Sequence, residues 1–312
     1  MSERTTRLLR IAAIAIVAVL VARFARDVDW RQLGSAMRHA EVAPLLASSA
    51  LYFVCLFGKA LTWRIMLAPR NVVPMGRLYR YTIAAFAASA LTPARAGELL
   101  RVWALKRRDG VPAPDATAVA LAEKLLCAIT LLIVVAPVPW LLPGLPEWVE
   151  NAMLTCAGIA AGVLVVLFFA VGHVDAREPR SWFERMIAGM HVVRDPKRLA
   201  LAVFTLLLTW SADLIAVTLV THAVGIELSI GEAMFILFSF NLAIAVPSTP
   251  GQVGAMQLGA LAATSILRIP EEPALAFALL YQLMQIVPLL IVGFILELDL
   301  VRGRFPEPSP AS

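Results

Sequence analysis

The sequence predicts an all-α integral membrane protein with about six full spans and two re-entrant helical hairpins arranged as an inverted repeat. Three observations carry this. Apolar residues make up 60% of the 312-residue chain and charged residues only 16%, where a soluble domain carries about 25% charged. The apolar residues fall in blocks separated by short charged stretches, the pattern of bilayer-crossing helices. Two further blocks are too short to cross, and each ends in the same Thr-Pro break.

At the N-terminus, Arg4, Arg7 and Arg10 precede an apolar run over 11–22. This has the outline of a signal peptide, but Arg23, Phe24 and Arg26 follow in place of a small-x-small cleavage site. An uncleaved helix over 8–25 is expected. The stretch 30–40 mixes Arg31, Leu33, Met37 and Arg38 and reads as an interfacial helix. A span of hydrocarbon about 30 Å thick needs about 20 helical residues. The blocks 42–67, 115–142, 148–171, 199–224 and 273–298 meet that length. The blocks 78–92 and 233–246 reach only about 22 Å as helices, and run into the breaks Thr92-Pro93 and Thr249-Pro250. Both breaks read T-P-x-x-x-G, ending at Gly97 and Gly254, and a second helical stretch follows each. Re-entrant hairpins are expected there, with their broken backbone buried in protein or lining a wet cavity.

The chain is accordingly one membrane domain, 1–312. A first repeat unit over 42–142 comprises 42–67, 78–110 and 115–142. An inverted second unit over 199–298 comprises 199–224, 232–268 and 273–298. Residues 172–198 form a cytoplasmic linker and 299–312 a C-terminal tail. Interrupted short segments in two inverted halves point to a transport site near the midplane. Of the 27 Lys and Arg, Arg23, Arg26, Arg31, Arg38 and Arg268 fall outside, Lys59 and Lys124 fall within spans, and the rest fall inside. This positive-inside bias puts both termini in the cytoplasm.

The same reading sets aside several functions. The net charge of +5 is explained by orientation, so nucleic acid is not an expected partner. Cys55, Cys127 and Cys156 form no C-x-x-C pair, and no H-E-x-x-H spacing supports a metal. No cofactor is expected. Without a G-x-x-x-x-G-K-[ST] motif, any active transport would use an ion gradient or a partner; otherwise the movement is passive scrambling.

The candidate chemistry lies in charges at membrane depth. Pro93 suits a helix start, so the following helix points its N-terminal N–H groups into the hairpin tip. Arg95 adds a forked donor for phosphate or carboxylate. Glu98 lies three residues from both Arg95 and Arg101, within pairing reach on one helix face. These residues fit an anion-binding tip for a lipid phosphate and equally an ion pair that neutralises the hairpin. Glu123 and Lys124 lie well inside the 115–142 span, where charges face the protein interior. Glu123 is placed to pair with Arg95 or Arg101, or to contact substrate. Trp210 and Asp213 raise the same question. Ser239 and Asn241 fit bonding to neighbouring helix backbone. Lys106, Arg107 and Arg108 read as an inner-face anchor, and Trp30, Trp63, Trp140 and Trp148 as interfacial anchors.

Three patches resemble a known family. Pro93, Arg95, Gly97, Glu98 and Arg101 match P-x-R-x-G-E-x-x-R. The element Glu123-Lys124-Leu125 follows in the next span. The run from Pro247 through Thr249, Pro250 and Gly251 to Gly254 is the third, with Tyr281, Pro288 and Gly293 beyond it. Together they resemble the transmembrane, flippase-like region of lysylphosphatidylglycerol synthases, over about 8–300. The resemblance implies a helical membrane domain with hairpins that moves aminoacylated or other lipids between leaflets. With the chain ending at residue 312, no soluble aminoacyl-transfer domain is expected, and lipid aminoacylation is not. Cys127, Gln257 and Gln282 stand where relatives often carry an acid, a glutamate and an arginine, which implies a different substrate from charge-bearing relatives.

The function expected is a lipid or lipid-linked head-group translocase of the bacterial inner membrane, and not an enzyme. Arg95 and Arg101 would hold an anionic head group. Glu98 and Glu123 would position those arginines or meet a cationic group, and Thr249, Pro250 and Gly251 would form the opposite gate. The partners to expect are a membrane lipid with an anionic head group and either a second copy of the chain or a lipid-biosynthesis protein. The alternative is a membrane enzyme or accessory subunit of polyprenyl-phosphate or glycolipid biosynthesis.

Overall fold

The computed structural model describes residues 40–68, 71–92, 97–173, 195–245 and 254–301. Among the described residues ten helices run in the order α1 (Val42–Leu67), α2 (Met75–Leu91), α3 (Leu99–Asp109), α4 (Ala113–Val135), α5 (Val138–Leu141), α6 (Glu147–His173), α7 (Pro196–Ala223), α8 (Ile230–Ala245), α9 (Ala255–Ile266) and α10 (Glu271–Val301). No strand occurs among the described residues. Val42–Leu67, Ala113–Leu141, Pro196–Ala223 and Glu271–Leu296 are long and apolar enough to cross a membrane. The 27-residue α6 fills the expected span 148–171. The chain is an all-α, multi-pass membrane protein. The helices expected over 8–25 and 30–40 lie outside the described residues.

The short blocks resolve as expected into paired helices. The arms α2 and α8 have 17 and 16 residues, which is about 25 Å each. The return arms α3 and α9 have 11 and 12. One expected span carries a break inside it. The block 115–142 is not a single helix: α4 stops at Val135 and a four-residue α5 follows. Pro137 and Pro139 are the reason, since neither has an N–H for the carbonyl four residues back.

Packing follows a plan with internal symmetry. Exchanging α1, α2, α3 and α4 for α7, α8, α9 and α10 maps the main helix contacts onto themselves. The pair α1–α7 maps to itself. The pairs α2–α3 and α8–α9 correspond, as do α3–α4 and α9–α10, α1–α2 and α7–α8, and α1–α4 and α7–α10. Contacts between the halves also correspond: α2–α10 with α8–α4, and α1–α10 with α7–α4. Each of the short helices α2 and α8 therefore lies on the last long helix of the other half. Small residues permit the close fit: Ala84, Ala85 and Ala87 of α2 are buried. Leu46, Leu154, Ile159, Phe204, Ile291 and Ile295 remain exposed, as the surface of a helix bundle in lipid would be.

Pro288 sits inside α10 and leaves the Met284 carbonyl without its helical donor. The Ser49 hydroxyl of α1 donates to that carbonyl at 2.8 Å. Buried backbone at this depth needs such a partner, so the proline and the serine form one feature shared by two helices.

Candidate functional site

The helix-pair plan brings two polar centres to the middle of the bundle. In the first, α1 presents Lys59 and Trp63, four residues apart and on one face. The hairpin helix α3 presents Arg101 and α4 presents Glu123. The Arg101 side chain is 1% exposed and that of Glu123 is 2%. Arg101 Nη2 lies 3.4 Å from Glu123 Oε2, Lys59 Nζ lies 4.0 Å from Glu123 Oε1, and Trp63 Nε1 donates to the same carboxylate. The Arg101 guanidinium also stacks over the Trp63 ring at 4.1 Å. Burying an ion pair is costly unless further hydrogen bonds and contacts complete it, and Trp63 supplies both a donor and a π face. Arg101 Nε and Nη1 have no hydrogen-bond partner among the described residues. Two cations face one carboxylate here.

Trp63 is thereby corrected. It lies near a span end, but it is 1% exposed and serves this centre instead of an interface. Trp140 and Trp148 are 80% and 64% exposed, consistent with the anchors expected; Trp30 lies outside the described residues. Glu98 does not pair with Arg101. It meets Lys124 instead, with Nζ to Oε2 at 2.5 Å, and so joins α3 to α4.

The second centre lies between α7 and α10. Tyr281 donates its hydroxyl to Asp213 Oδ1 at 2.6 Å, and Phe240 stacks on the Tyr281 ring at 5.3 Å. Trp210 turns away from Asp213, donating to Thr130 Oγ1 at 3.0 Å and the Cys127 carbonyl at 3.1 Å. Nearby, Gln257 donates to Gln282 Oε1 at 2.7 Å. A neutral amide pair thus stands where the resemblance implies a glutamate and an arginine. The Asn241 amide donates to the Leu237 carbonyl at 2.9 Å, a bond within its own helix α8 and not to the neighbouring helix backbone expected for it.

A cavity of about 750 Å³ lies between the centres and is walled by both halves. Lys59, Glu98, Lys124, Asn241, Asp213 and Tyr281 supply its polar lining. Its volume falls in the range of small-molecule sites, about 300–1,000 Å³. Arg101 and Glu123 lie behind this wall. Sequence reasoning put Lys59 within a span and did not single it out. Its signal was a charge one turn before a tryptophan in an otherwise apolar helix.

The residues flanking the two Thr-Pro breaks are held by different means. The Thr92 hydroxyl donates to the Ala88 carbonyl at 2.9 Å and accepts the Gly97 N–H at 3.0 Å, so it ties the two arms together. A Cβ on Gly97 would lie 2.1 Å from the Ser89 nitrogen. Gly254 has open space around it but a φ of +86°, and its N–H is taken by Gln257 Oε1 at 2.7 Å. Pro93, Arg95, Thr249, Pro250 and Gly251 lie outside the described residues. Among the described residues no group of His, Cys, Asp and Glu is arranged to hold a metal.

The model of a family described as the lysylphosphatidylglycerol synthase TM region matches residues 10–293. A search of curated proteins gave no match.

Proposed function

The chain belongs to the lysylphosphatidylglycerol synthase transmembrane-region family, and from that premise we propose that it carries a lipid, or a lipid-linked head group with an anionic phosphate, across a bacterial inner membrane. The observation that carries this is the cavity of about 750 Å³ with Lys59 and Asp213 both in its wall. Ionisable groups at membrane depth mark substrate or ion pathways. A chamber with a few charged groups in a mostly apolar wall suits a head group whose acyl chains stay in lipid. The family's lipid-related role agrees with this use.

Two features of the architecture support the mechanism. The exchange-symmetric packing fits an inverted repeat, and the arms α2 and α8 are too short to span hydrocarbon of about 30 Å. In this reading both hairpins are re-entrant and their breaks are the two gates. Arg95 at the first tip meets the phosphate as it enters, with the Glu98–Lys124 bridge beside it. Thr249, Pro250 and Gly251 form the opposite gate. Lys59 receives the phosphate, and Arg101 and Glu123 hold Lys59 and Trp63 in place from behind. The inside-weighted Lys and Arg distribution orients both termini to the cytoplasm.

Proteoliposomes with a fluorescent phosphatidylglycerol test this directly. A membrane-impermeant quencher bleaches only the outer leaflet of empty vesicles. With the protein present, the protected inner pool should become accessible, and Lys59→Ala should slow its loss. An inner pool as well protected as in empty vesicles overturns the proposal.

A further inference from the structure

The cavity contains an acid that its surroundings do not explain. Glu123 has two cations and an indole donor. Asp213 has a tyrosine hydroxyl, and among the described residues no cation lies within ion-pair distance of it. An isolated carboxylate inside an apolar span is costly. It is retained with one oxygen engaged and its side chain in the wall of the chamber.

The groups facing Asp213 are few. From α1 come Lys59 and Cys55, from α10 Tyr281, and from α4 Cys127 and Lys124, the last bridged to Glu98 of α3; α8 presents only the uncharged Asn241. Lys59 lines the same cavity and is already shared with Glu123 at 4.0 Å and with Cys127 Sγ at 3.5 Å. Arg101, Lys59, Glu123 and Asp213 sum to no net charge. A phosphate arriving at Lys59 would leave the chamber with one uncompensated negative charge in surroundings of low dielectric. A proton on Asp213 restores the balance.

We infer that Asp213 is a proton-binding site that loads together with the anionic head group, so that lipid and proton move as a pair. The Tyr281 hydroxyl occupies Oδ1, and the proton is taken from water onto Oδ2. One O–H bond forms on the carboxylate as one O–H bond of a hydronium ion breaks and leaves water, and no protein group other than Asp213 changes its bonding. Tyr281 keeps its hydrogen bond to Oδ1 throughout and fixes the carboxyl's orientation. The loaded chamber is neutral, and the empty deprotonated one is neutral too, so neither state carries a net charge through the bilayer. The inference rests on the proposed lipid transport and adds to it the coupling ion.

The test is proton uptake on lipid binding. Purified full-length protein in weakly buffered, sodium-free detergent solution is titrated with short-chain phosphatidylglycerol while a pH indicator is followed. Linkage then requires about one proton taken up per lipid bound, and an affinity that weakens by up to about tenfold per unit rise in pH above the carboxyl's titration. Asp213→Asn should bind the lipid with a pH-independent affinity and no proton uptake. Asp213→Glu should restore uptake and checks that loss in the amide variant is not misfolding. Lipid binding without proton uptake by the wild type overturns the inference and leaves lipid transport standing. So does uptake by Asp213→Asn equal to wild type, or uptake that appears only when sodium is added. No binding of phosphatidylglycerol by the wild type overturns both.

Discussion

The half built from α1 to α4 and the half built from α7 to α10 share a packing plan but bury different chemistry. The first encloses Arg101, Glu123 and Lys59 around the Trp63 ring. The second encloses a carboxyl held by a phenol, Asp213 with Tyr281, and two carboxamides, Gln257 with Gln282. The same division runs through the T-P-x-x-x-G motif. Gly97 is required because a backbone nitrogen lies 2.1 Å from where its Cβ would be, and Gly254 because its φ is +86°. Helix packing responds to residue size and apolar pattern, which the halves have in common. The polar residues are free to diverge once the packing holds without them.

Substitutions can break this comparison at several strengths. The largest effect is expected at Glu123→Gln, which leaves the buried Arg101 without its countercharge. Breaking a buried pair from one side costs about 3–5 kcal/mol, read as a lowered unfolding midpoint in detergent. An Arg101→Met/Glu123→Leu double variant should be more stable than either single one. Purely additive losses would show that the pair is not the unit. Next comes Gly97→Ala, which forces a methyl against the α2 backbone at about 1–3 kcal/mol. Gly254→Ala meets open space and should cost about 1–2 kcal/mol through its backbone angle alone. Equal losses under the same unfolding assay would mean that the two glycines do the same job after all. The smallest effect is expected at Gln257→Ala, about 1 kcal/mol for the lost cap at the start of α9. It is checked by proteolysis or hydrogen exchange confined to 254–266.

The fold was largely legible because bilayer physics is simple. Length decides which apolar blocks are long enough to cross, and the short blocks marked the helices α2 and α8. The break in 115–142 was written in Pro137 and Pro139 but was obscured by the apolar run around them. The pairing of Arg101 with Glu123 was legible too, since charges at depth require a partner. The partner of Glu98 was not. Whether it met Arg101, three residues away, or Lys124, on another helix, depends on how α3 is rotated against α4. Trp63 was misplaced for a related reason: a span-end position is interfacial only if that face meets lipid, and here Arg101 covers it. Asp213 was visible as an anomaly, but its separation from Trp210 followed only from the rotamers that carry one to Tyr281 and the other to Thr130.

The bond from Ser49 to the Met284 carbonyl has a mechanical meaning. A helix missing one rung bends most readily at that rung, so α10 is a jointed lever with its elbow at Pro288. The hydroxyl that stiffens the elbow belongs to α1, in the opposite half. Any flexing of α10 must stretch or exchange that bond, so α1 senses the angle of the lever. Alanine in place of Ser49 would leave the elbow slack and uncouple the two arms without touching the chamber between them.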